Sequence, residues 1–147
     1  MDINRDAPVQ AVAEVHVEAP PDLVWSVQSD FARWPEWNPD VRDVQVLGPL
    51  AQGTVFKWNA GGMRIVSELG EVDPPRRLAW TGRTLGLRAV HPWTFDESVE
   101  ETRVRTEESF EGWLVRLFPG PLKRTLRSSL EKGLAALVAE CERRAEG

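Results

Sequence analysis

Pro121-Leu-Lys-Arg-Thr-Leu-Arg-Ser-Ser-Leu-Glu-Lys-Gly-Leu-Ala-Ala-Leu-Val-Ala-Glu-Cys-Glu-Arg-Arg144 is the stretch around which the rest of the chain must be organised. At helical spacing Leu122, Leu126, Leu130, Leu134, Leu137 and Cys141 fall on one face, with Val138 beside them. That periodicity predicts one amphipathic helix of roughly 36 Å at 1.5 Å per residue. Lys123, Arg127, Glu131, Glu140, Arg143 and Arg144 are expected on the opposite, solvated face. Such a stripe needs a cover, and only the strand-like segments before it can supply one. Ser128, Ser129, Gly133, Ala135 and Ala136 interrupt the leucines, and small groups on a buried face either permit close packing or leave space.

Working back from the helix, the segments alternate with a period of two. Ala11, Ala13, Val15 and Val17 oppose Val12, Glu14, His16 and Glu18, a half-buried strand that leaves His16 at the surface. Pro20-Pro21-Asp22 ends it and opens a helix to about Ser29. Phe31 to Pro39 allows a second short helix, because Pro35 and Pro39 interrupt anything longer. Trp34 and Trp37, three apart, are expected to plug the gap beside the first strand. Strands are then predicted over 41–47, 53–59, 63–72, 77–83, 87–97 and 102–111, with Gly61-Gly62 a hairpin turn and Ser98 to Glu101 another. Such short connections give antiparallel neighbours in a meander. The expected fold class is α+β: six or seven antiparallel strands curved around one long C-terminal helix, with two short helices after the first strand.

Composition narrows the function. The 147 residues suit a single domain, with 41% hydrophobic and 28% charged residues and a net charge of -5. Residues 1–8 are expected to be flexible. The absence of a contiguous basic run argues against nucleic acid as a partner. One cysteine and two histidines make a metal site an unpromising reading. Cys141 lies on the apolar stripe and reads as a buried structural thiol. No stretch approaches 18 apolar residues, so no transmembrane segment is expected. Met1 to Gln10 has no apolar core, so no signal peptide is expected and the location defaults to cytoplasmic. The aromatic content is unusual: seven Trp, five Phe and no Tyr.

Several phrases, in order, resemble the START-like (SRPBCC) superfamily in its polyketide cyclase/dehydrase-type branch. They are Val17-x-Ala19-Pro20-x-x-x-Val24-Trp25, then Trp34-Pro35-x-Trp37-x-Pro39, and the hairpin entered through Gly53 to Trp58. Glu71-Val-Asp-Pro-Pro75 with Arg77-Leu78-x-Trp80, and Thr102-Arg-Val104, follow. The resemblance covers nearly the whole chain. It implies a helix-grip fold with a deep cavity between sheet and final helix, and a hydrophobic small-molecule partner such as a lipid, quinone or polyketide-like compound. It supplies no catalytic motif, and no cofactor is expected.

If parity holds, the concave face offers Phe56, Trp58, Ile65, Leu78, Trp80, His91, Trp93, Glu108 and Phe110 to a ligand, with Ser67 and Thr106 among them. Leu126, Ser129, Leu130 and Gly133 form the helix side of the same site. His91 and Glu108 are the only ionisable residues assigned inward. With the last hairpin centred near 99–100, facing positions sum to 199, so His91 opposes Glu108 at a Cβ separation of ~5 Å. They are the catalytic candidates of an alternative reading, a cyclase or dehydratase-type enzyme; the bland reading is a satisfied structural pair. A one-residue slip would reverse every facing. Trp113-Leu-Val-Arg-Leu-Phe118 is apolar and ends at Pro119. Three readings stand for it: a core-packing turn, a contact in a homodimer or other protein complex, or a flap over the cavity mouth.

Overall fold

The structure is a computed structural model that describes residues 1–98 and 101–147. Alternation produces strands where it is regular. They are β1 (Val9–Val17), β2 (Val41–Val46), β3 (Val55–Ala60), β4 (Met63–Asp73), β5 (Arg77–Thr84), β6 (Leu87–Ser98) and β7 (Glu101–Glu111). They form one sheet in the order β1-β7-β6-β5-β4-β3-β2, antiparallel at every pairing. The last six make the expected meander, and β1 closes onto β7 because the chain leaves β1 through helices before returning at the far edge. Gly61 and Gly62, at φ 57° and 86°, allow the two-residue β3–β4 turn that side chains would strain. Register shifts in β2, between Arg42 and Gln45, and in β4, between Leu69 and Glu71, bend those strands. The centre of the turn expected at 98–101 falls on 99 and 100, outside the described residues.

Helix α1 (Pro21–Ser29) is followed by a short 3-10 helix over Phe31–Glu36. The last strand leads into α2 (Trp113–Leu117), and then α3 (Pro119–Glu146). The stripe on α3 is as expected: Leu126, Leu130, Leu134, Leu137 and Cys141 are buried, and Leu122 is half-buried. The helix lies against β1 and α1. Its buried leucines divide between two apolar clusters. Leu134, Leu137 and Cys141 join Val24, Phe31, Phe56, Leu78 and Phe95, whereas Leu126 and Leu130 join Val9, Leu87, Phe110 and Val115.

Three expectations are corrected here. Glu140 is not on the solvated face; it is buried and tied to Arg143 at 2.7 Å and Arg144 at 2.9 Å. Those two guanidiniums hold its carboxyl down at about 2, well below the usual carboxylate range. Residues 1–8 make contacts with the sheet. Ile3 and Ala7 are buried, and the Asn4 side-chain amide donates to Glu111 at 2.6 Å. The apolar side chains of a polar segment suffice to dock it on the outer face of the sheet. Trp34 does not sit beside β1 but over β3 and β5, and Trp37 caps the same 3-10 helix, which packs on β2 at the opposite edge. Finally, the segment 113–118 is not a buried turn: only Val115 is fully buried.

Candidate functional site

The division of the α3 leucines between two clusters leaves a cavity between them. Its volume is about 220 Å³. Small residues account for the space. Gly133 and Ser129 stand where large side chains on α3 would reach the sheet, and Gly82 and Ala89 do the same on β5 and β6. A Cβ placed at Gly133 meets nothing within 4 Å.

Of the residues expected at the site, Trp58, Ile65, Trp80, His91, Trp93, Glu108, Phe110, Leu126, Ser129, Leu130 and Gly133 line this cavity. Phe56 and Leu78 do not. Both face inward as parity requires, but both are fully covered. The ring of Phe31 stacks on Phe56 at 4.5 Å, and Leu78 lies in the cluster that contains Leu134 and Leu137. Ser67 lines the cavity, whereas Thr106 is buried with its hydroxyl donating to the Pro92 carbonyl.

Sequence reasoning missed one wall. Trp34 comes from the 3-10 helix and Trp37 from its C-terminal cap, and five of the seven Trp therefore line one cavity. Trp34 approaches Trp58 at 5.2 Å and Trp80 at 5.4 Å, and its indole N–H donates to the Gln28 carbonyl at 2.9 Å. The Trp58 indole N–H donates to the Ser67 hydroxyl at 3.0 Å. The i, i+3 spacing of Trp34 and Trp37 was the usable signal, but it did not say which edge of the sheet they would reach. The alternation Trp80-x-Gly82-x-Thr84 on β5 was a second, since it puts a residue without a side chain on the inward face. Among the lining residues, Asp40, Gly61, Met63, Arg83, Thr125 and Ser129 are exposed and mark the mouth.

The β6–β7 register keeps facing positions at a sum of 199 on both sides of His91, from Glu97–Thr102 to Arg88–Glu111. His91 and Glu108 accordingly meet, with Nδ1 and Oε1 3.4 Å apart. The His91 ring lies between Trp80, at 4.9 Å, and Trp93, at 5.0 Å. Removal from water disfavours both charged forms. Burial pulls the His91 imidazole down to about 3 and pushes the Glu108 carboxyl up to about 8. Burial thus favours the uncharged form of both groups in this wall. His91 Nε2, Trp37 Nε1 and Trp93 Nε1 are buried without a hydrogen-bond partner among the described residues. These nitrogens are covered by neighbouring atoms, so a ligand group reaches them only if a ring moves.

No group of three or more metal-ligating side chains occurs among the described residues. Cys141 is buried, and desolvation pushes its thiol up to about 12, which suits a structural residue and not a nucleophile. No helix among the described residues is long and apolar enough to cross a membrane.

Residues 8–142 match the sequence profile of the family described as polyketide cyclase / dehydrase and lipid transport. No curated protein matches the chain. Solved structures are similar over nearly the whole length. A hypothetical protein from Helicobacter pylori has a TM-score of 0.84 at 19% identity, covering 93% of this chain and 90% of that one. A START superfamily protein from Mycobacterium smegmatis has a TM-score of 0.76 at 19% identity, covering 91% and 97%. The Zhui aromatase/cyclase from Streptomyces sp. R1128 has a TM-score of 0.76 at 23% identity, covering 92% and 94%. At these identities the likeness establishes the helix-grip fold and nothing finer.

Proposed function

The chain belongs to the polyketide cyclase / dehydrase and lipid transport family, and from that premise we propose that it binds a neutral, ring-bearing hydrophobic small molecule between the sheet and α3. The observation that carries this reading is the cavity itself: five Trp walls and, set within them, one ionisable pair that burial keeps uncharged. Flat aromatic walls favour flat apolar ligands, and a charged ligand would lose its hydration with only Asp40 and Arg83, at the exposed mouth, as counter-charges. The volume of about 220 Å³ suits a compact quinone-like or aromatic polyketide-like molecule better than a two-chain lipid.

Titration with N-phenyl-1-naphthylamine, a neutral aromatic probe, tests it through quenching of Trp emission. Gly133→Leu projects a side chain into the cavity from a position with free space around its Cβ. It also removes a helix-interior glycine, which by itself stabilises by about 0.5–1 kcal/mol. The expected result is an affinity at least ~tenfold lower with no loss of thermal stability, one order of magnitude being the 1.4 kcal/mol of a few lost ring contacts. Unchanged affinity would place the probe elsewhere and end this reading. Mass spectrometry of molecules that co-purify with the wild type would then name the natural ligand.

A second reading, an enzyme of the cyclase or dehydratase type, rests on the His91–Glu108 pair, whose opposed shifts leave a neutral base beside a neutral acid. The cover over His91 Nε2 weighs against it. It requires that His91→Ala abolish turnover of a polyketide substrate while the naphthylamine still binds.

A further inference from the structure

Near the cavity mouth the surface changes character. Leu85 is 78% exposed, Leu117 64%, Trp113 57% and Phe118 52%. They come from the β5–β6 turn, from α2 and from the residue that joins α2 to α3. The turn and the start of α2 are locked together. The Leu114 N–H donates to the Gly86 carbonyl at 3.1 Å, and any Cβ at Gly86 would lie 2.7 Å from the Trp113 ring. Gly112, at φ 123°, allows the backbone to approach Gly86 closely. Thr84 and Leu87, on either side of the turn, line the cavity, as do Thr125 and Leu126 on α3.

Between the flanking Glu111 and Glu131, the charge along α2 and early α3 is one-sided. The chain as a whole carries -5, yet residues 112–130 contain Arg116, Lys123, Arg124 and Arg127 and no acidic residue. All four are exposed, and among the described residues none forms an ion pair. A second copy docking on this face about a two-fold axis would set four cations against four, so the charge disfavours a dimer here. An anionic lipid surface satisfies both features. Its headgroups attract exposed Lys and Arg, and Trp, Leu and Phe side chains enter the headgroup boundary.

We propose that the surface formed by Leu85, Trp113, Leu117 and Phe118, with the cations of α2 and early α3, docks on anionic lipid bilayers. The cavity mouth then stands beside the bilayer, and an apolar ligand passes between the two with little exposure to water. This goes beyond the ligand-binding reading and stands or falls on its own measurement.

Co-sedimentation with vesicles tests it, comparing phosphatidylcholine alone with phosphatidylcholine mixed with phosphatidylglycerol. The wild type is expected to sediment with the anionic vesicles, less so as salt rises. Leu117→Ser/Phe118→Ser and Lys123→Glu/Arg124→Glu are each expected to lower that partition at least ~tenfold. Naphthylamine binding in Leu117→Ser/Phe118→Ser should match the wild type, which separates failure of docking from failure of the cavity. Equal sedimentation with both vesicle types would overturn the proposal. So would a wild-type dimer that Leu117→Ser/Phe118→Ser converts to monomer. Absence of vesicle binding, with retention on immobilised polyglutamate that Lys123→Glu/Arg124→Glu abolishes, would assign the surface to an acidic protein instead.

Discussion

Phe56→Ala is expected to cost about 3–5 kcal/mol of folding stability, the range for deleting a large buried aromatic. The residue has no exposed surface. Its ring stacks on Phe31 at 4.5 Å and meets the edges of Trp34 at 6.0 Å and Trp80 at 6.1 Å. Those contacts are what hold the 3-10 helix over β3. Truncation opens a void beneath Phe31 that the rigid sheet cannot close, so both transfer energy and packing are lost. Urea unfolding reads the effect as a lower midpoint at unchanged slope. Phe56→Leu keeps most of the volume and is expected to cost much less, with naphthylamine affinity near that of the wild type. A residue in contact with ligand would behave the other way, losing affinity at little cost in stability. Phe56→Ala within about 1 kcal/mol of wild type would mean that the 3-10 helix is held by something other than this stack.

That contrast marks where the sequence stops being legible. A period of two tells which face a side chain takes, and it did so from β3 to β7 except beyond Leu69, where the register shift in β4 reverses the facing. It also fixed the β6–β7 register, because a short hairpin leaves one sum of facing positions that keeps both apolar faces inward. It carries no information about position along the strand axis. Phe56 and Ser67 share a face and are paired across β3 and β4, yet one lies under Phe31 while the other meets the cavity. What covers each is decided by elements distant in sequence. The same reason hid Trp34 and Trp37: their spacing shows a shared face, but the edge they reach depends on β2 being the last strand of the sheet. The α3 stripe was readable as a stripe. Its division into two clusters, with Ser129 and Gly133 at the space between, followed from the small residues only once the sheet was in place. Glu140 shows the converse, a charge that looks solvated until Arg143 and Arg144 fold over it.

Stability should also respond to pH in a way that traces to one pair of side chains. Unfolded, Glu108 loses its proton near 4.5 and His91 near 6.5; folded, burial moves these to about 8 and about 3. A raised carboxyl binds its proton more tightly in the folded chain, so Glu108 lowers stability as pH rises from 4.5 to 8. A lowered imidazole binds its proton less tightly in the folded chain, so His91 lowers stability as pH falls from 6.5 to 3. Between 4.5 and 6.5 the two slopes oppose each other and nearly cancel. Above 6.5 only Glu108 still acts, at about 1.4 kcal/mol per pH unit, for a loss of about 2 kcal/mol by pH 8. The acid limb is less diagnostic, because Glu140, held at about 2, also loses stabilising charge there. The alkaline limb therefore carries the test. Urea midpoints measured from pH 6.5 to 8 are expected to fall in the wild type and to stay level in Glu108→Gln, which keeps the shape of the side chain but cannot ionise. A wild-type midpoint that rises over this range would mean that Glu108 is already charged in the folded chain. The uncharged cavity wall, and the preference for neutral ligands drawn from it, would fail with that result.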